Sequence, residues 1–138
     1  MPVRYVPPLV VLVLALAWSP PNAQDIDILG SWRGTSRCVD KAHFPACKDE
    51  QVIYDVQRKG SARDTVTLRA DKVVNGAREL MGEFDFVRAP DSSWVAEYRN
   101  FRVRLRIVLR VRAARMTGSL TDELLGRQVR ELALERAP

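Results

Sequence analysis

Apolar and polar residues alternate with a period of two along most of the chain from Leu29 onward, and that alternation predicts strands, because successive strand side chains point to opposite faces. The pattern is cleanest over residues 101–112. There Val103, Leu105, Ile107, Leu109 and Val111 share one face, and Arg102, Arg104, Arg106, Arg110 and Arg112 share the other, interrupted only by Val108. A helix would scatter those arginines around its circumference. Shorter segments repeat the pattern. Gly30, Trp32, Gly34 and Ser36 share a face in 29–38, and Val52, Tyr54 and Val56 in 50–58. Val66, Leu68 and Ala70 do so in 64–71, Phe84 and Phe86 in 80–88, and Trp94, Ala96 and Tyr98 in 93–99. Met116, Gly118 and Leu120 complete a seventh strand over 115–120.

The intervening segments read as turns. Residues 39–49 form a Pro-containing loop that follows Cys38 and includes Cys47, 59–63 a glycine-bearing hairpin loop, and 89–92 a Pro-Asp-Ser turn. Residues 72–78 carry Asn75-Gly76, the strongest short hairpin signal in the chain. Ala113-Ala114 must reverse the chain without the usual Gly or Asn. The tail, 121–136, has two readings. Leu124, Leu125, Val129 and Leu132 fit a helical face, but Gly126 opposes a long helix. The preferred reading is a loop to Gly126 and then an eighth strand with Arg130, Leu132, Leu134 and Arg136 on one face, because an eighth strand closes the two edges that seven leave open. The expected fold is all-β, a single antiparallel up-and-down barrel of about eight strands.

The first 23 residues do not belong to that domain. Arg4 precedes an apolar run that ends in Trp18-Ser19-Pro20-Pro21-Asn22-Ala23, too short to span a bilayer. This describes a secretory signal peptide, cleaved after Ala17 or after Ala23. Residues 24–138 are then the mature domain, secreted or periplasmic and not membrane-spanning after cleavage. An oxidising compartment favours pairing of Cys38 with Cys47. His43 lies between them, but two cysteines and one histidine lack a fourth ligand and the usual zinc spacing. No metal and no cofactor is expected.

Charge adds one candidate surface. The chain carries +5, and Arg4 is the one charged residue of the signal segment, which leaves +4. Between Glu97 and Asp122 there is no acid, while seven arginines fall there. The outward set Arg102, Arg104, Arg106, Arg110 and Arg112 forms a stripe suited to an anionic envelope component: polysaccharide, lipopolysaccharide, acidic headgroups or an acidic protein. It serves equally as a solvated face that blunts edge pairing. Nucleic acid is not an expected partner of an exported product. Glu83 and Asp85, two apart opposite the Phe84 and Phe86 face, read as solvated and not as a general acid/base pair. His43 is the only histidine, with no nucleophile coupled to it, so no enzyme activity is expected.

Leu29-Gly30-Ser31-Trp32 at the first strand, followed by a meander of short strands, resembles the Gly-x-Trp opening of lipocalin-like and other calycin barrels. Arg115-Met116-Thr117-Gly118-Ser119-Leu120 is similar to the Thr-Gly-x-Leu strand of such barrels. Gly-x-Trp-x-Gly-Thr-Ser, the nearby cysteine pair, Lys72 to Gly76 and Met81-Gly82 also resemble small bacterial secreted proteins. The calycin resemblance implies a barrel closing over Trp32, with an arginine of the last strand packed across the indole. Arg136, or failing that Arg130, is that residue. A barrel of this size is either filled by its side chains or holds one small ligand. A small apolar ligand would be lined by Tyr54, Phe84, Phe86, Trp94 and Tyr98. The alternative is an inhibitor or interaction protein acting on a protein target through the disulfide loop or the arginine-rich strand.

Overall fold

The computed structural model describes residues 1–2 and 27–138. The signal-peptide expectation and both cleavage sites lie outside the described residues. From Gly30 onward the chain forms eight strands: β1 Gly30–Cys38, β2 Glu50–Arg58, β3 Thr65–Val74, β4 Ala77–Arg88, β5 Trp94–Arg99, β6 Arg104–Arg112, β7 Arg115–Asp122 and β8 Arg127–Arg136. They are all antiparallel and close in sequence order into one barrel, β8 returning to β1. The barrel is compatible with the calycin resemblance. The tail is a strand because Leu132 and Leu134 are needed inside the wall, and pairing with both β7 and β1 gives its backbone two ladders.

Inward positions follow the alternation. Trp32, Val52, Val56, Val66, Leu68, Phe86, Trp94, Leu109, Met116, Leu132 and Leu134 are buried together in one core. Three details differ from the local pattern. First, the 72–78 turn is only Asn75-Gly76, flanked by the pair Val74↔Ala77, because both residues adopt the positive φ (51° and 78°) that a two-residue hairpin of matching twist requires. Second, β6 begins at Arg104 and not at Phe101. The side chain of Asn100 accepts hydrogen bonds from the amides of Arg102 and Val103, and this makes 100–103 a turn. Third, Ile28, in the short lead-in before β1, is completely buried beneath the barrel.

Two register shifts shape the wall. Ala70 pairs with Gly82 but Asp71 with Leu80, leaving Met81 as the extra residue of a bulge. Leu120 pairs with Arg130 but Thr121 with Gln128, leaving Val129 unpaired. Its freed carbonyl accepts from the amide of Val39. Asp71, at the first bulge, is fully buried and bound by Arg69 and Arg78. Arg78 extends the network across the sheet to Asp55. The wall is thinnest between β4 and β5, which pair only through Val87↔Val95 and Arg88↔Trp94.

Glycine is a necessity at Gly34. A Cβ there would stand 2.6 Å from the Cα of Leu134 and would also meet the carbonyl oxygen of Ala133, both backbone atoms of β8. Gly34→Ala is therefore expected to cost about 1–3 kcal/mol by forcing β1 and β8 apart. Gly126→Ala, at φ +63° in open space, should cost only left-handed backbone strain of about 1–2 kcal/mol. Equilibrium denaturant unfolding of the two variants checks the order: a Gly34 variant no less stable than the Gly126 variant would contradict the close β1–β8 approach.

Candidate functional site

An up-and-down meander gives the barrel two chemically different ends. The lead-in, the β2–β3, β4–β5 and β6–β7 turns and the end of β8 lie at one, the base. The β1–β2, β3–β4, β5–β6 and β7–β8 loops lie at the other.

The base is closed around Trp32. Its indole is fully buried, its Nε1 donates to the carbonyl of Ile28 (2.9 Å), and the Arg136 guanidinium carbon lies 4.2 Å from the ring centroid. Arg136 also donates to the carbonyls of Leu29 (2.6 Å) and Asp27 (2.7 Å), and Trp94 Nε1 donates to the Asp27 carboxylate (3.3 Å). A charged side chain thus fixes the lead-in that carries the Ile28 plug. Arg130, the other basic residue considered for the base, sits elsewhere. It donates to the carbonyl and hydroxyl of Ser36 and lies 3.5 Å from Glu50, toward the loop end.

The five aromatic residues read as cavity lining divide into two groups. Tyr54, Phe86 and Trp94 are buried in the core with Trp32, Leu68 and Leu109, where they pack against neighbouring side chains. Burial pushes the Tyr54 phenol up to about 12, against the opposing attraction of Arg130. Phe84 and Tyr98 belong instead to the thin β4–β5 wall. Their rings meet edge to face at 6.4 Å across the two strands where the backbone ladder is missing. Tyr98, read from alternation as inward, is 43% exposed there, since β5 has diverged from β4 and no longer covers it.

The arginine stripe is largely neutralised in three dimensions. Arg104 is paired with Glu123 (2.9 Å), Arg106 with Glu97 (3.2 Å) and Arg110 with Asp91 (3.1 Å). Two hydrogen bonds from Ser93, then Arg110, hold the Asp91 carboxyl at about 2. Arg102 is not on the strand; its guanidinium stacks 4.9 Å from the Phe101 ring centroid. Arg112 faces Arg115 across the Ala113-Ala114 turn, beside a surface cleft of about 440 Å³ that Arg110 and Thr117 also line.

At the loop end, Cys38 and Cys47 form a disulfide. The loop it closes is tied by the Cys38 amide to Asp49 (2.8 Å) and by Arg127 to Asp40 (3.2 Å). Asp40 also meets His43 Nδ1 at 2.9 Å, and this contact is the main cause of its lowered carboxyl pKa. No group of three metal-ligating residues gathers among the described residues.

The feature that strand patterning missed is the distribution of exposed apolar side chains. Val39 lies on the first loop, Phe101 on the third, Leu124 and Leu125 on the fourth, and Val74 and Tyr98 on strand ends that lead into the second and third; Leu80 and Met81 stand on β4 itself, at its bulge. Among the described large apolar residues of the barrel, Leu80, Met81 and Val87, all on β4, are the ones exposed away from those loops and strand ends. The sequence carries a signal for it: Phe101 follows the turn former Asn100, and Leu124-Leu125 immediately precedes Gly126. No protein-family model matches the chain, and no curated protein shows significant similarity to it.

Tyr54 offers a test of how tightly the interior is filled. Its raised folded-state pKa means that its contribution to stability is complete below the unfolded phenol pKa of about 10, and is lost as pH rises through about 12. Ultraviolet titration should show Tyr54 ionising only near the alkaline unfolding transition. Early ionisation of Tyr54 in the folded protein would mean that the barrel interior is wet.

Proposed function

We propose that this chain is an exported binding protein: a rigid barrel with a structural base, whose loop end makes the functional contact. The observation that carries this reading is the set of exposed apolar side chains at one end: Val39, Phe101, Leu124 and Leu125 on three of its loops, with Val74 and Tyr98 on strand ends beside them. Soluble monomers scatter such residues singly, and a contiguous set marks an interaction surface. The disulfide supports export into an oxidising compartment, as does the short apolar segment after Arg4. The covalent closure also preorganises one of the four loops, which lowers the entropy lost on binding.

The base suits a scaffold role. Trp32, Trp94, Phe86 and Leu109 fill it, and Arg136 is spent on two backbone carbonyls and an indole face. Trp32→Ala is expected to cost about 3–5 kcal/mol by opening a cavity at that point, read as a lower denaturation midpoint. An unchanged midpoint would remove the structural role of the base.

A second reading has its own observation. Phe84 and Tyr98 stand in the wall where β4 and β5 are not hydrogen-bonded, so a small apolar ligand would enter there. Two measurements separate the readings. The apolar anionic dye 1-anilinonaphthalene-8-sulfonate should fluoresce on the wild-type protein and lose most of that signal in the double variant Phe101→Ser, Leu125→Ser. Native mass spectrometry of the exported protein should give a bare, oxidised mass. Dye binding indifferent to the loop substitutions overturns the loop-end reading. A discrete adduct that survives high salt and disappears in Tyr98→Ala replaces it with the ligand-holding one.

A further inference from the structure

Within the loop end, the β5–β6 and β7–β8 loops differ from the others in how they hold their apolar residues. Phe101 is 89% exposed, Leu124 64% and Leu125 58%. Such side chains on mobile loops fold back onto the nearest apolar surface; here each apex is fixed outward. Asn100 Oδ1 accepts from the amides of Arg102 (2.8 Å) and Val103 (2.9 Å), and this places Phe101 at the tip of a closed turn. Asp122, itself buried, accepts through Oδ1 from the amides of Leu124 (2.9 Å) and Leu125 (3.1 Å) in the same manner. The two turns are then joined. The Glu123 amide donates to the Arg104 carbonyl (2.8 Å), and the Arg104 guanidinium meets the Glu123 carboxylate. Three large side chains without a polar atom are thereby held in water on one two-loop apex.

Positive charge is in surplus beside that apex. Arg102 has no acid within ion-pair distance among the described residues, and Arg99 reaches only Glu97, at 3.9 Å, which Arg106 already holds at 3.2 Å. Tyr98 and Asn100 lie at the same level, the Asn100 amide donating to the Tyr98 hydroxyl (3.4 Å). Apolar tips, a polar-tipped aromatic behind them and weakly paired or unpaired arginines alongside match the order hydrocarbon, interface and anionic headgroups, read from the bilayer interior outward.

We propose that the Phe101, Leu124 and Leu125 apex docks this protein onto an anionic lipid surface, the three side chains entering the acyl boundary and Arg99 and Arg102 meeting headgroup phosphates. The proposal rests on the loop-end reading and names its partner. A lipid surface fits better than a protein because the apex projects: a convex tip needs no matching pocket in a bilayer, whereas a protein partner would have to supply one.

Vesicle co-sedimentation of the oxidised, exported protein tests this, with phosphatidylcholine vesicles alone and with added phosphatidylglycerol. Binding is expected with phosphatidylglycerol, weakened by salt, and about tenfold or more weaker in the triple variant Phe101→Ser, Leu124→Ser, Leu125→Ser. Because all three residues are exposed, the triple variant should keep the wild-type melting temperature, and Arg102→Ala supplies a second, milder variant expected to lose the lipid-charge preference. Equal binding to both vesicle types, binding untouched by the triple substitution, or no vesicle binding at all overturns the proposal. No vesicle binding together with dye binding that still depends on Phe101 and Leu125 would leave the loop-end reading standing with a protein as its partner.

Discussion

Everything in this barrel depends on the seam where the last strand meets the first. Eight antiparallel strands leave no unpaired edge only if β8 returns to β1 in register, and the pair Trp32↔Arg136 stands at one end of that ladder. Arg136 acts there through its whole side chain. Its guanidinium plane covers the indole, a contact of about 0.5–2 kcal/mol, and its donors satisfy two carbonyls of the lead-in that have no ladder partner. Lysine, a point charge without the planar fork, could not do both. The approach also demands Gly30: its φ of +114° is one that side-chain-bearing residues rarely adopt, and a Cβ would stand 3.1 Å from Arg136 Nη1.

The same economy of polar groups distinguishes the two ends. At the base, Arg136 and Asp27 pull the chain inward and seat Ile28 beneath Trp32. At the loop end, Asn100 and Asp122 take up backbone amides so that the neighbouring apolar side chains are turned outward. Burying Asp122 to fix a turn carrying two exposed leucines runs against hydrophobic burial. A fold selected only for stability would set those leucines inside or replace them, and this is the physical reason the loop end reads as a contact surface.

Strands were legible because period-two alternation is a local property, visible in β6 without knowing what β6 touches. Asn75-Gly76 was legible for the same reason, although the strands run closer to it than the polar flanks suggested. What local pattern cannot carry is pairing at a distance. The tail offers a helical face in Leu124, Leu125, Val129 and Leu132 and a strand face in Arg130, Leu132, Leu134 and Arg136, and Gly126 together with the open edges of the sheet favours the strand. Ile28 looked like part of an acidic lead-in, since its burial depends on Arg136, more than a hundred residues away in sequence. Tyr98 kept its alternation yet lies exposed, because β4 and β5 part after two residue pairs and no signal in either strand marks where they separate.

The arginines show most clearly how a one-dimensional charge run misleads. Residues 98–121 contain no acid, yet Arg104, Arg106 and Arg110 each meet one, brought by the β7–β8 turn, by β5 and by the β4–β5 turn. The stripe along β6 is therefore mostly a ladder of cross-strand pairs, individually weak in water, and the uncompensated charge is displaced to its two ends. At the base end Arg112 faces Arg115, a like-charge pair relieved only by Glu135 at 3.9 Å from Arg115, beside Ala113 at a positive φ of 52°. At the loop end Arg102 lies beside Phe101 and next to the clamped leucine turn. Charge alone does not choose between these ends. Apolar surface does: among the described residues, only at the loop end does a free cation, Arg102, coincide with outward-held hydrophobic side chains, and that coincidence separates a surface built to meet an amphiphilic partner from one that merely keeps the protein in solution.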